Sequence, residues 1–96
     1  MDDLTRIVQR LLEQLRVRLE QQGMTLTWDE AVLEYLSREG YSEQFGAREL
    51  RRVIEQQVEK EIVEKILREE IRLGHVVSVD VKDNMLVLKI YGGETR

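Results

Sequence analysis

The apolar period of this chain changes once, at Gly74, and that change sets the class of fold open to it. Upstream, apolar residues return with the spacing of a helix face; from His75 onward they alternate, as on a strand with one buried side. Helices followed by a terminal hairpin make an α+β domain in which the helices cover one face of a small sheet.

Leu4, Ile7, Val8, Leu11, Leu12, Leu15 and Leu19 form one stripe that ends at Gly23, on a helix that Asp2 and Asp3 can cap. Met24-Thr25-Leu26-Thr27 is β-prone and reads as a brief strand. Thr27 and Glu30 have capping-box spacing, which predicts a second helix from Trp28 to Glu39 with Gly40 as its stop. Ala31, Val32, Tyr35 and Leu36 should face the core, with Leu33 nearer its rim. Tyr41 to Phe45 then form a connector whose two aromatics are expected to pin it to the core.

A third helix is predicted from Ala47 to Arg72, burying Leu50, Val53, Ile54, Val58, Ile62 and Ile66, with Leu67 and Ile71 as further candidates. Its length invites a bend between Glu59 and Glu64. If Asp83-Asn84 is a two-residue turn, Lys82 pairs with Met85, Val81 with Leu86, Val79 with Leu88 and Val77 with Ile90. Ser78, Asp80, Lys82, Val87, Lys89 and Tyr91 then share the outer face. One domain over residues 1–91 and a frayed, flexible tail over 92–96 complete the expectation.

Ninety-six residues allow one modest core and no complete nucleotide-hydrolysing module. A net charge of -4 argues against general nucleic-acid affinity, although a local basic patch could still hold an anion. No cysteine is present, which excludes disulfides, thiolate catalysis and cysteine-based zinc sites. No apolar run is long enough for a bilayer and none resembles a signal, so no membrane partner is expected and a cytoplasmic setting is the default. Proline is absent where average usage would give about five, which raises an engineered scaffold without retained activity as an alternative.

No phosphate-cradling Gly-x4-Gly-Lys-Ser/Thr motif occurs, so the chain alone is not expected to be an enzyme or to bind a cofactor or metal. Ser37, Ser42 and Ser78 lack an activating motif. His75, the one histidine, reads as a loop or strand-edge residue. The unusual feature is Gly46-Ala47-Arg48, a glycine that launches a helix with an arginine in its first turn. A cation there opposes the helix dipole, so an anion is a fitting partner; guanidinium can grip two phosphate oxygens together. The plainer reading makes Arg48, Arg51 and Arg52 a solvated basic face paired with Glu43, Glu49 or Glu55, and an anion- or nucleic-acid-binding module is the third alternative.

Gly40-Tyr41, Phe45-Gly46-Ala47-Arg48 and Leu50-Arg51-Arg52-Val53-Ile54 together resemble the C-terminal small subdomain of the Clp-type AAA+ ATPases, the ClpB, ClpC and ClpA kind. The resemblance runs broadly from Leu4 to Ile90 and is specific from Gly40 to Ile54. It implies that Gly46, Ala47 and Arg48 are the nucleotide-sensing residues, with Arg48 as the sensor 2 arginine. ATP or ADP would be held only together with a large AAA+ subdomain, which supplies the P-loop. The implied partners are the large subdomains of the same and the neighbouring protomer, in a hexameric heat-shock chaperone that unfolds or disaggregates proteins. Three positions depart from the family pattern. Glu49 and Glu61 stand where prolines are common, and Glu69 replaces a glycine before the hairpin, changes that should favour a continuous, stronger helix.

Overall fold

A computed structural model describes residues 2–41, 44–46 and 48–92. Helix α1 (Asp2–Gln21) leads into strand β1 (Thr25–Trp28) and helix α2 (Glu30–Gly40). Next comes a helical rod made of α3 (Leu50–Ile54), a π-helical turn (Glu55–Glu59) and α4 (Lys60–Leu67). Strands β2 (His75–Lys82) and β3 (Met85–Gly92) close the chain. The sheet has the order β1-β2-β3, with β1 parallel and β3 antiparallel to β2. A parallel pair requires a crossover, and α2 and the rod are that crossover.

The hairpin has the register expected from its pattern, including Val77 opposite Ile90 and Val79 opposite Leu88. Asp83 and Asn84 have φ of 54° and 66°, the left-handed pair that a tight two-residue turn demands and that Asp and Asn tolerate. Leu26, Val77 and Val79 are buried beneath the helices, whereas Ser78, Asp80 and Lys89 lie on the other face. Val8, Leu12, Leu15, Leu19, Val32, Leu36, Leu50, Ile54, Val58 and Ile62 complete one core. The expected stripes of α1 and the rod therefore both point inward.

Several boundaries differ from expectation for reasons of tertiary pairing. Thr27 and Trp28 join β1 because they pair with Ser78 and Val79. That moves the helix start, and Asp29 becomes the N-cap of α2, its Oδ1 accepting from the Val32 N–H at 3.3 Å. Ala31 consequently faces solvent, and Leu33 is buried. Met24 precedes the strand: its N–H donates to the Leu19 carbonyl across Gly23, whose φ is +87°. This is a Schellman end for α1, and both apolar residues that bracket it are buried.

The rod starts at Leu50 and stops at Leu67, short of the predicted 47–72 at both ends. Its core residues Leu50, Ile54, Val58, Ile62 and Ile66 recur strictly every fourth position. In a regular α-helix each such step drifts by about 40°, so the stripe would rotate off the core. A wider π turn at Glu55–Glu59, just ahead of the expected bend, turns less per residue and keeps the stripe facing inward.

Glu69 ends the rod in a left-handed conformation, φ 64°, with its N–H on the Ile66 carbonyl and the Glu70 N–H on the Lys65 carbonyl. The expectation of a continuous helix through Glu69 is therefore overturned: the Schellman turn forms and a side chain is held at positive φ. Leu67, just before it, is 76% exposed, and Ile71 is buried from the turn and not from a helix. Glu69→Gly should raise stability by about 1 kcal/mol by removing the Cβ clash. Thermal unfolding should then rise by about 4–8 °C. An unchanged or lower midpoint would show that the turn carries no such strain. The exposed Glu69–Arg72 contact at 3.7 Å is too solvated to mask the gain.

Candidate functional site

Two contacts set where Arg48 stands. Gly40 ends α2 against the start of α3, so closely that a Cβ on it would lie 2.5 Å from Leu50 Cδ2 and 2.9 Å from Leu50 Cα. Downstream of that contact the Arg48 N–H donates to the Phe45 carbonyl at 3.2 Å, folding the chain back over Gly46. Gly46 has φ +61° with open space where a Cβ would point, so the left-handed backbone, and not crowding, asks for glycine.

Arg48 thus lies before the helix and not in its first turn. Glu49 is the N-cap position of α3 and makes no side-chain cap bond. Its carboxylate instead meets Arg52 Nε at 3.3 Å. Arg48 itself is exposed and makes no ion pair with a described residue. Ala47, Ser42 and Glu43, the other expected members of this segment, lie outside the described residues. Tyr41 and Phe45 do not pin the connector inside the core; they are 50% and 44% exposed. The connector therefore offers a cation and two aromatic faces outward.

The three arginines do not act as one basic face. Arg52 is tied to Glu49, and Arg51 sits in a shallow groove with Gln14, Val17, Arg18 and Glu55. Arg18 in turn reaches Glu59 at 3.3 Å. Acidic side chains interrupt the cluster, which removes the continuous positive surface that a nucleic-acid backbone requires.

His75 opens β2 half-buried, and its Nδ1 accepts the Arg72 N–H at 2.8 Å. That is a structural role at a strand edge. Among the described residues no cluster of His, Asp or Glu could hold a metal, and no helix is long and apolar enough to cross a membrane. Gly40 is the last residue of α2, as expected of a helix stop, but sequence reasoning missed its close packing: its φ is not positive, Tyr41 after it is extended, and Leu50 leaves no room for a Cβ. The apolar neighbour at Leu50 across a short connector was the available signal.

Residues 1–79 match the family model described as the C-terminal, D2-small domain of ClpB protein. The ATP-dependent Clp protease ATP-binding subunit ClpL of Staphylococcus aureus, strain USA300, is 41% identical over 88 residues, 92% of this chain and 12% of that protein. The ClpL proteins of strains NCTC 8325 and COL match to the same extent. The chain thus spans about one eighth of the length of these relatives.

Proposed function

The chain belongs to the family of C-terminal D2-small domains of Clp-type AAA+ ATPases, and from that premise we propose that Arg48 is its sensor 2 arginine. In this reading Gly46 provides the turn, Ala47 lets the backbone approach, and Arg48 reaches toward the terminal phosphate of a nucleotide held by a large AAA+ subdomain. The supporting observation is an exposed arginine with no ion-pair partner among the described residues, on a connector braced by the Gly40–Leu50 contact. Glu49, the residue placed to neutralise it, is engaged by Arg52 instead.

The nucleotide supplies a charge that differs between its two states. A guanidinium favours the triphosphate, because it can donate a pair of hydrogen bonds to two terminal phosphate oxygens. Arg48 would thereby tie the angle between small and large subdomains to the nucleotide present, since a ligand shifts an equilibrium only by its differential affinity. Tyr41 and Phe45 offer the apolar surface beside it. The same domain would contact the large subdomain of the next protomer and help close a ring. Catalysis then resides in the assembled ATPase and not in this chain alone.

The test is association of this chain with an isolated Clp large subdomain, measured with an ATP analogue and with ADP. Binding is expected to be tighter with the analogue, and Arg48→Ala should weaken it about tenfold or more, as loss of a charge-assisted pair implies. The melting temperature should stay unchanged, because Arg48 is exposed. Equal binding of wild type and variant in both nucleotide states would refute the assignment.

A further inference from the structure

Strand β3 is the last strand of the sheet, and its outer edge is unpaired among the described residues. In a two-residue hairpin the closing pair, here Lys82 and Met85, exchanges both backbone hydrogen bonds, and such pairs recur at every second residue. Met85, Val87, Lys89 and Tyr91 therefore direct their N–H and C=O groups toward β2. Leu86, Leu88 and Ile90 direct theirs outward, away from the sheet. An exposed row of this kind is a template for another strand.

We propose that the β3 edge pairs with β3 of a second copy of this chain, antiparallel about a two-fold axis through Leu88. That register sets Leu88 opposite Leu88 and Leu86 opposite Ile90 of the second copy. Every outward-facing backbone group of the three residues then meets a matching group. Shifting the axis to Val87 or Lys89 shortens the paired stretch, and an axis at Lys89 places like charges directly opposite, which is unfavourable.

Charge also fits. Lys89 is the one charged side chain on β3, and it already lies 3.8 Å from Asp80 of its own β2. Asp80 is opposite Val87, and in the proposed register Val87 is opposite Lys89 of the second copy. Asp80 and that lysine then share one cross-sheet row two strand spacings apart, roughly 9.5 Å between backbones and within reach of a lysine side chain. Met85 and Tyr91, 63% and 52% exposed, become direct neighbours across the interface. On the inner face, Leu88 and Ile90 of the second copy would lie over the open groove beside β3 that Tyr35, Gln57, Glu61 and Lys65 border. The half-buried Leu86, Leu88 and Ile90 gain cover there.

Sedimentation equilibrium over a concentration series reaching about 1 mM tests the pairing, since even weak association registers there. A reversible dimer is expected, and two variants fix the register. Val87→Glu sets an acid opposite Lys89 of the second copy at both ends of the pair and should tighten the dimer. Val87→Lys sets like charges there and should loosen it; each change should be about two- to thirtyfold. Within one copy the same changes run the other way, because Val87 faces Asp80, so monomer stability measured by circular dichroism cannot imitate the result. Amide exchange at Leu86, Leu88 and Ile90 should slow as concentration rises. A chain that stays monomeric overturns the proposal, as does a dimer in which the two variants fail to diverge. Protection of those three amides by some other strand-forming chain, without self-association, overturns it too.

Discussion

Leu36→Ala is expected to remove about 3–4 kcal/mol of stability, the cost of emptying a fully buried leucine site that cannot collapse. Leu36 is completely inaccessible on α2, the helix placed between α1, the start of the rod and the sheet. Relaxation from one side would open a gap on another, which puts the cost in the upper part of the usual range. For a domain of this size such a loss is a large fraction of a total of roughly 5–15 kcal/mol. Thermal unfolding should move down by about 15–30 °C. The comparison substitution is Leu33→Ala, on the same helix but at the core's edge, which should cost clearly less. Equal losses at the two positions would show that the core is not centred where the burial places it.

The hairpin was fully legible because its determinants are local: alternation fixes the face, and Asp83-Asn84 fixes the turn, so register follows. The helix ends were less so. Thr27 and Glu30 read as a capping box, yet a strand partner at Ser78, some fifty residues on, claims Thr27 for β1. No local signal carries that information. The π turn was half visible: the length of the predicted helix raised a bend between Glu59 and Glu64, whereas the strict four-residue repeat from Leu50 to Ile66, which cannot stay on one side of a regular α-helix, was the signal for the π turn just ahead of it. At Glu69 local preference gave the wrong result. Glutamate favours helix over glycine, but Ile71 is drawn into the core and the chain must reverse before it, so the left-handed turn forms at a residue that resists it.

The candidate site was legible as a string and not as a shape. Phe45, Gly46 and Arg48 mark it, and Gly46 does hold the positive φ that makes glycine necessary. The place of Arg48 relative to the helix depends on where the Phe45–Arg48 turn ends, a hydrogen bond that no propensity specifies. The aromatics misled as well. Tyr41 and Phe45 would normally be read as core, yet both are exposed, while Gly40 and Leu50 make the close contact between α2 and α3.

Gly40→Ala measures that contact directly, because two effects of opposite sign compete. On helix propensity alone the substitution should stabilise, by up to about 1 kcal/mol, since Gly40 is helical and its φ is not positive. Packing opposes this. Leu50 Cδ2 at 2.5 Å could swing aside, but Leu50 Cα at 2.9 Å is backbone and gives way only if the start of α3 moves. Overpacking of this kind costs about 1–3 kcal/mol, so a net loss of about 1–2 kcal/mol is expected in chemical denaturation. The double variant Gly40→Ala with Leu50→Ala relieves the side-chain clash and leaves the backbone clash, so it should not restore the propensity gain. Arg48 lies two residues before Leu50, and a displaced α3 start carries it along. Gly40→Ala should therefore also narrow the difference in large-subdomain association between ATP analogue and ADP, at temperatures where the variant is fully folded. A stabilised variant with an unchanged nucleotide preference would mean that the connector is held by something other than this contact.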